Sequence, residues 1–197
     1  MPDPNETREK LLDATLRLVN QSEGDRDLPT MAEIAAEAGV SRQAVYLHFE
    51  NRAMLLTETA RRYDRSSGFL QRIGATRRLE PVAALDAYVR TWFGYIPEVV
   101  KMARALLAAE AAGQDGGEAW RDRMGALRWG VELAVQRLDD AGALASGWSV
   151  ETAADWVWSR IHFTTWHHLV VERGWTGDEV ADRVTRSVIA EVCAKRP

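Results

Sequence analysis

The stretch T-M-A-E-I-A-A-E-A-G-V-S-R-Q-A-V-Y-L-H-F-E-N-R at residues 30–52 decides how the chain is read. Thr30 followed three residues later by Glu33 is the pattern of a capping box, in which each side chain accepts a hydrogen bond from the other residue's backbone N–H. A short helix is predicted to start there, with Ile34, Ala35 and Ala38 on one face. Gly39 supplies the positive φ of a tight turn, and Ser41 caps a second helix. In that helix Val45 and Phe49 point inward with Val40, leaving Arg42, Gln43, Ala44, Tyr46, Leu47 and His48 largely outside. Ala35 is small where two helices cross, Gly39 sits at the turn and Val45 plugs the crossing, which together read as a helix-turn-helix.

The outward residues suit a DNA duplex. Arg42 matches the O6 and N7 acceptors of guanine and Gln43 suits adenine, while Ala44 and Leu47 can meet thymine methyls. Tyr46, His48 and Arg52, with the hydroxyls of Thr30 and Ser41, suit phosphates, which set register and carry no base information. Tyr46 also reads as a half-core residue, and Ser41 as a cap and nothing more.

Around this stretch the residues carry a family likeness. I-A-x-x-A-G-V-S at 34–41, V-Y-L-H-F at 45–49 and N-R-A-M-L at 51–55 resemble the DNA-binding domain of the tetracycline-repressor (TetR) family. The likeness covers about residues 7–56, roughly the first quarter of the chain. It departs from the family at two places: Arg52 stands where Lys is usual, and 21–28 (Q-S-E-G-D-R-D-L) is longer and more acidic than the usual connection. Arg keeps the positive charge, with a planar fork in place of a point charge. The resemblance implies an all-α homodimer with a helix-turn-helix head on a helical body of about nine helices in all, paired through its last two helices. It also implies a double-stranded operator and a small-molecule effector.

Composition agrees with such a protein. The chain has 197 residues, 46% hydrophobic and 27% charged, enough for a sizeable core. No apolar run is long enough to cross a bilayer and the start, M-P-D-P-N-E, is polar and acidic, so the expected location is cytoplasmic, without membrane attachment. Cys193 is the only cysteine, which excludes an intrachain disulfide and a Cys-rich zinc site; it reads as a small apolar residue on the last helix. A formal net charge of −4 sits awkwardly with DNA binding. Locally, however, Arg42, Arg52 and His48 face Glu50 alone between residues 41 and 52.

Helical spacing runs through the rest. A first helix capped at Glu6 or Thr7 carries Leu11, Leu12, Ala14, Thr15, Leu18 and Val19, with Gly24 in the connection beyond it. Asn51 caps a connecting helix that extends past Gly68 toward Ile73. The expected domains are therefore 1–50 for DNA binding, 51–73 for connection and 74–197 for ligand binding and dimerisation. In the body, Pro97 is expected to interrupt one helix and start another, 113–117 to form a loop, and a long helix to end near Gly142. Ser149 caps a helix running to Gly174, and Thr176 with Glu179 forms a second capping box opening the last helix. Ala153, Ala154, Ala181 and Ala190 on that pair are small enough for a mate to approach closely. Nothing in this half alternates like a strand.

The body is rich in aromatic residues, with eight tryptophans in the chain. Tyr88, Trp92, Phe93, Tyr95, Met102, Trp120, Met124, Trp129, Trp158, His162, Phe163 and Trp166 are candidates to line a site for an apolar or aromatic ligand, and equally candidates for plain core. His168 and Glu172 share a helix face with His162 two turns back, but H-H-L-V-V-E reads as structural or as an interface, with no metal or other cofactor expected. No catalytic motif appears, so an enzyme is not expected. The sequence reading is a ligand-released repressor; regulation by a partner protein or a metal, and an all-α enzyme using the aromatic cavity, are its alternatives.

Overall fold

In the computed structural model, residues 4–21 and 28–194 are described; the acidic connection around Gly24 lies outside them. The described residues are helical almost throughout. Helices α1 (Pro4–Gln21), α2 (Met31–Ala38), α3 (Arg42–His48) and α4 (Arg52–Ser66) are followed by α5 (Phe69–Thr76), α6 (Pro81–Ala111) and α7 (Gly116–Asp140). The chain then runs through α8 (Val150–Ile161), α9 (Phe163–Trp166), a π-helical segment (His167–Glu172) and α10 (Gly177–Val192). No described helix is long and apolar enough to cross a membrane. The chain divides into two compact units, Met1–Ser67 with Val99–Arg123, and Gly68–Glu98 with Met124–Pro197.

The first unit is built on the predicted capping chemistry. Thr30 N–H donates to Glu33 Oε2 at 2.7 Å and Glu33 N–H to Thr30 Oγ1 at 3.2 Å, closing the capping box. Gly39 at φ 67 ends α2, its N–H donating to Ala36 O, and Val40 N–H donates back to Ala35 O. Ser41 Oγ then accepts from Ala44 N–H at 3.1 Å to open α3, and Asn51 Oδ1 accepts from Met54 N–H at 2.8 Å to open α4. The faces so aimed meet in one core of Leu11, Leu12, Ala14, Met31, Ile34, Ala35, Val45, Phe49 and Leu55. Burying each large member contributes about 1.5–3 kcal/mol before entropy is set against it. Helix α1 begins at Pro4, earlier than the expected Glu6 or Thr7 cap, because proline tolerates a first-turn position where its missing N–H costs nothing.

The remainder of the first unit is the end of α6 and the start of α7. Asp122 on α7 holds Arg61 of α4, whose Nε lies 3.2 Å from Oδ2, and Arg123 at 3.1 Å. Arg123 also pairs with Asp64 of α4. Burial pushes the Asp122 carboxyl upward, but hydrogen bonds and charge from Arg61 and Arg123 outweigh it and hold its pKa below the ordinary value.

Three further elements depart from the expectation. The helix expected over 51–73 is two helices, because Gly68 takes φ 76 and α5 starts afresh after it. Helix α6 runs unbroken through Pro97. Proline there forfeits one backbone hydrogen bond, while Phe93 and Ile96 on the preceding turn stay fully packed. The two units divide between Glu98 and Val99, directly after that proline. Third, the helix expected from Ser149 to Gly174 breaks at His162, whose ψ of 143° is extended.

In the second unit the aromatic residues find backbone partners. Trp92 Nε1 donates to Ile161 O at 2.7 Å, Trp158 Nε1 to Met124 O at 3.1 Å and Tyr88 Oη to Leu127 O at 3.2 Å. Phe69 stacks on Tyr95 with centroids 4.0 Å apart. Ala153 and Ala154 are fully buried within the chain, so their small size serves packing here; Ala181 is half-buried and Ala190 exposed. Cys193 lies just past α10 in extended backbone and forms an antiparallel bridge with Leu144, a short pairing that the helical reading of the body did not anticipate. It is buried, which raises its thiol pKa.

Two predictions follow from this framework. Gly39→Ala forces a side chain into left-handed backbone and is expected to cost about 1–2 kcal/mol, whereas Gly74→Ala, within α5 with no atom within 4 Å of the added Cβ, is expected to gain about 0.4–1 kcal/mol; thermal melts of both variants read the opposite signs. Because the folded Asp122 pKa is depressed, its contribution is present above the ordinary value of 3.8 and is lost as pH falls through the lower folded value. Asp122→Asn is therefore expected to lower the melting temperature at pH 6–7, by the equivalent of about 1 kcal/mol or less, with parent and variant converging in melts run at acid pH.

Candidate nucleic-acid interface

The proposed reading residues are sorted by one helix turn. Val45 and Phe49 are fully buried, and between and beside them Arg42, Gln43, Tyr46 and Leu47 are exposed, with Ala44 and His48 half-exposed. Leu47 is 80% exposed and Tyr46 46%, a large apolar outlay to leave in water on a seven-residue helix. Tyr46 is thus no core residue. Its ring lies under the Arg42 guanidinium at 5.9 Å, one helix turn away, so Arg42 is held along α3 by a cation–π contact.

Next to this face is a shallow concavity of about 320 Å³ bordered by Thr30, Arg42, Tyr46, Asn51, Arg52 and Asp115. Thr30 and Ser41 are exposed and both act as caps, placing helix-start amides toward solvent at the beginning of α2 and α3. Such amides and hydroxyls suit phosphate oxygens.

Arg52 stands differently from the other eight. Its side chain is only 19% exposed, Nη1 donates to Leu28 O at 3.5 Å, and Nε lies 3.8 Å from Asp115 with no hydrogen-bond partner of its own. Arg52 is therefore turned toward the loop before α2 and the α6–α7 turn. Its neighbour Asp115 is 63 residues away in sequence, and no local pattern could have flagged it. Arg8, whose guanidinium lies 5.2 Å from the Phe49 ring centre, likewise has a partner far from it in sequence.

The expected ligand residues scatter more. Met102 and Trp120 belong to the first unit; Trp92, Phe93, Tyr95, Met124, Trp129, Trp158, His162, Phe163 and Trp166 belong to the second. Trp129 is 58% exposed and joins no buried wall. His162 caps α9, its Nδ1 2.8 Å from Thr164 Oγ1, and meets the Trp158 ring edge-on; burial lowers its pKa. Trp166 is buried against Phe163, with ring centres 6.3 Å apart, and its Nε1 has no hydrogen-bond partner.

Comparison with known proteins matches this geometry. Residues 11–59 match the family model described as bacterial regulatory proteins, tetR family. No curated protein matches the chain. Among solved structures, NalD of Pseudomonas aeruginosa, the secondary repressor of the MexAB-OprM multidrug efflux pump, is similar over 99% of this chain and 100% of its own, at 20% identity and a TM-score of 0.70. A transcriptional regulator from Saccharomonospora viridis, solved in complex with choline, is 15% identical over 97% of this chain and 100% of its own, with a TM-score of 0.71. The fatty acid degradation regulator FadR of Bacillus halodurans is 13% identical over 93% of this chain and 94% of its own, with a TM-score of 0.69. At such identities these likenesses establish the fold, and the match at 11–59 runs from within α1 into α4. The tetR-family match thus falls on the helix-turn-helix itself, whose apolar face is closed on α1 and whose polar face is open on α3, in a chain that shares its fold with these regulators.

Proposed function

We propose that the protein is a repressor that binds a near-palindromic operator as a homodimer and leaves it when a small apolar or amphipathic molecule occupies the body. The observation that carries the reading is the exposed face of α3, where Arg42, Gln43 and Leu47 stand in water over a fully buried Val45. Arg42 and Gln43 read base edges, with Ala44 and Leu47 against thymine methyls. Thr30, Ser41, Tyr46 and His48 hold phosphates, and Arg52 joins them on release from Asp115. In this scheme residues 1–50 read, 51–73 connect, and 74–197 dimerise and respond in the cytoplasm.

A homodimer is favoured because one seven-residue helix spans only a few base pairs, whereas two heads a helical turn apart multiply specificity. The final helices α8 to α10 are the proposed contact, with Ala181 and Ala190 still available on α10. The effector reading draws support from the choline complex of the Saccharomonospora protein and from the buried, unpartnered Trp166 Nε1, which suits an acceptor on a ligand. A ligand that prefers the body when the heads are splayed lowers DNA affinity by the same factor as DNA lowers its own.

The test is selection of bound sequences from a random duplex pool at near-physiological salt. Enrichment of a near-palindrome is expected. Arg42→Ala should then bind the selected duplex about 5- to 150-fold more weakly, the loss of one bidentate base contact, while keeping its salt-sensitive binding to bulk DNA. If nothing is enriched, or Arg42→Ala selects the same sequence with parent affinity, the reading is wrong. With the operator in hand, release is measured by fluorescence anisotropy against choline and medium-chain fatty acids; an effector should displace the parent from the duplex and quench tryptophan emission, with Trp166→Phe requiring more of it.

A further inference from the structure

The π-helical segment His167–Glu172 brings His167 to the His168–Glu172 pair, from which an α-helix would turn it away. In an α-helix a residue five positions on is turned roughly 140° past the first, so His167 and Glu172 would diverge. The i→i+5 winding of a π segment brings the fifth residue back over the first while keeping the fourth nearby. Glu172 Oε1 accordingly lies 2.8 Å from His168 Nδ1 and 3.8 Å from His167 Nδ1. One ligand atom from each of the three residues falls within 4.8 Å of the others. π turns are rare and concentrate at functional sites, because the widened turn costs backbone geometry that a plain helix would avoid.

We propose that His167, His168 and Glu172 bind a divalent transition cation, with Zn2+ as the best match. Two imidazole nitrogens and one carboxylate oxygen form a donor set that zinc takes with its fourth position open, and that magnesium and calcium, which require oxygen, do not favour. Donors around a tetrahedral zinc sit roughly 3.3 Å apart, given Zn–N bonds of 2.0–2.1 Å. Small rotations of the exposed His168 and Glu172 side chains reach that spacing, while His167, half-buried with its ring 5.8 Å from Phe163, supplies the fixed corner. His162, two turns back in a continuous α-helix, is not part of the set, since the break at its own ψ turns it to cap α9. Cys193, the one thiol, is buried elsewhere and does not compete. The cation would staple the first and last residues of the π segment just before the turn into α10.

The experiment is isothermal titration calorimetry of the full, untagged chain with zinc chloride in a non-coordinating buffer, with circular dichroism confirming that each variant is folded. One zinc per chain is expected, with magnesium giving no heat. His168→Ala and the exposed Glu172→Gln should each weaken zinc at least about tenfold, and His48→Ala should not change it. Cobalt(II) should give a visible d–d band in the parent that Glu172→Gln loses. The absence of saturable zinc heat in the parent, or parent affinity in both His168→Ala and Glu172→Gln, overturns the site. Neither result bears on operator binding, which is read on DNA.

Discussion

The first unit depends on burying Val45 and Phe49 under α3. These two side chains, one turn apart, are the only fully buried residues between positions 41 and 50, and they fix how a short helix lies against α1 and α2. A helix of seven residues does not persist in water by itself. Its order comes from that seam, from the Ser41 and Asn51 caps at its two flanks, and from the left-handed Gly39 that sets the angle at which it leaves α2. The outward direction of Arg42, Gln43 and Leu47 is the geometrical remainder of the inward direction of Val45 and Phe49.

How much of this could be read from sequence depends on distance along the chain. The capping boxes at Thr30–Glu33 and Thr176–Glu179, the turn at Gly39 and the buried pair in α3 are written within four residues of one another, and the sequence reading of them agrees with the structure. Long-range partners were not legible: nothing near Arg52 names Asp115, and nothing near Arg61 names Asp122. Backbone choices that tertiary packing decides were equally hidden. Pro97 inside α6 obeys no local rule, since a proline that breaks an isolated helix is carried here by a long helix already committed on both sides. The π winding after Trp166 and the bridge at Cys193 belong to the same class.

The aromatic residues of the second unit show why core and cavity share one composition. Trp92, Trp158 and Tyr88 each spend their single polar atom on a carbonyl of a neighbouring segment, which is how an amphipathic ring becomes structural. Trp166 is buried, as Trp92 and Tyr88 are, but its Nε1 has no such acceptor. Sequence spacing treats the four alike, and only the hydrogen-bond accounting separates them.

The division of labour on α3 also shapes how such a protein can change over generations. Four of its seven positions are exposed and two more half-exposed, so substitutions there leave the Val45 seam and both caps intact. Proteins sit only slightly above the stability they need, and most new functions are paid for in folding free energy. A helix whose outer face is uncoupled from its inner one can exchange its exposed side chains while the fold underneath stays the same, so its surface chemistry is free to drift where its packing is not.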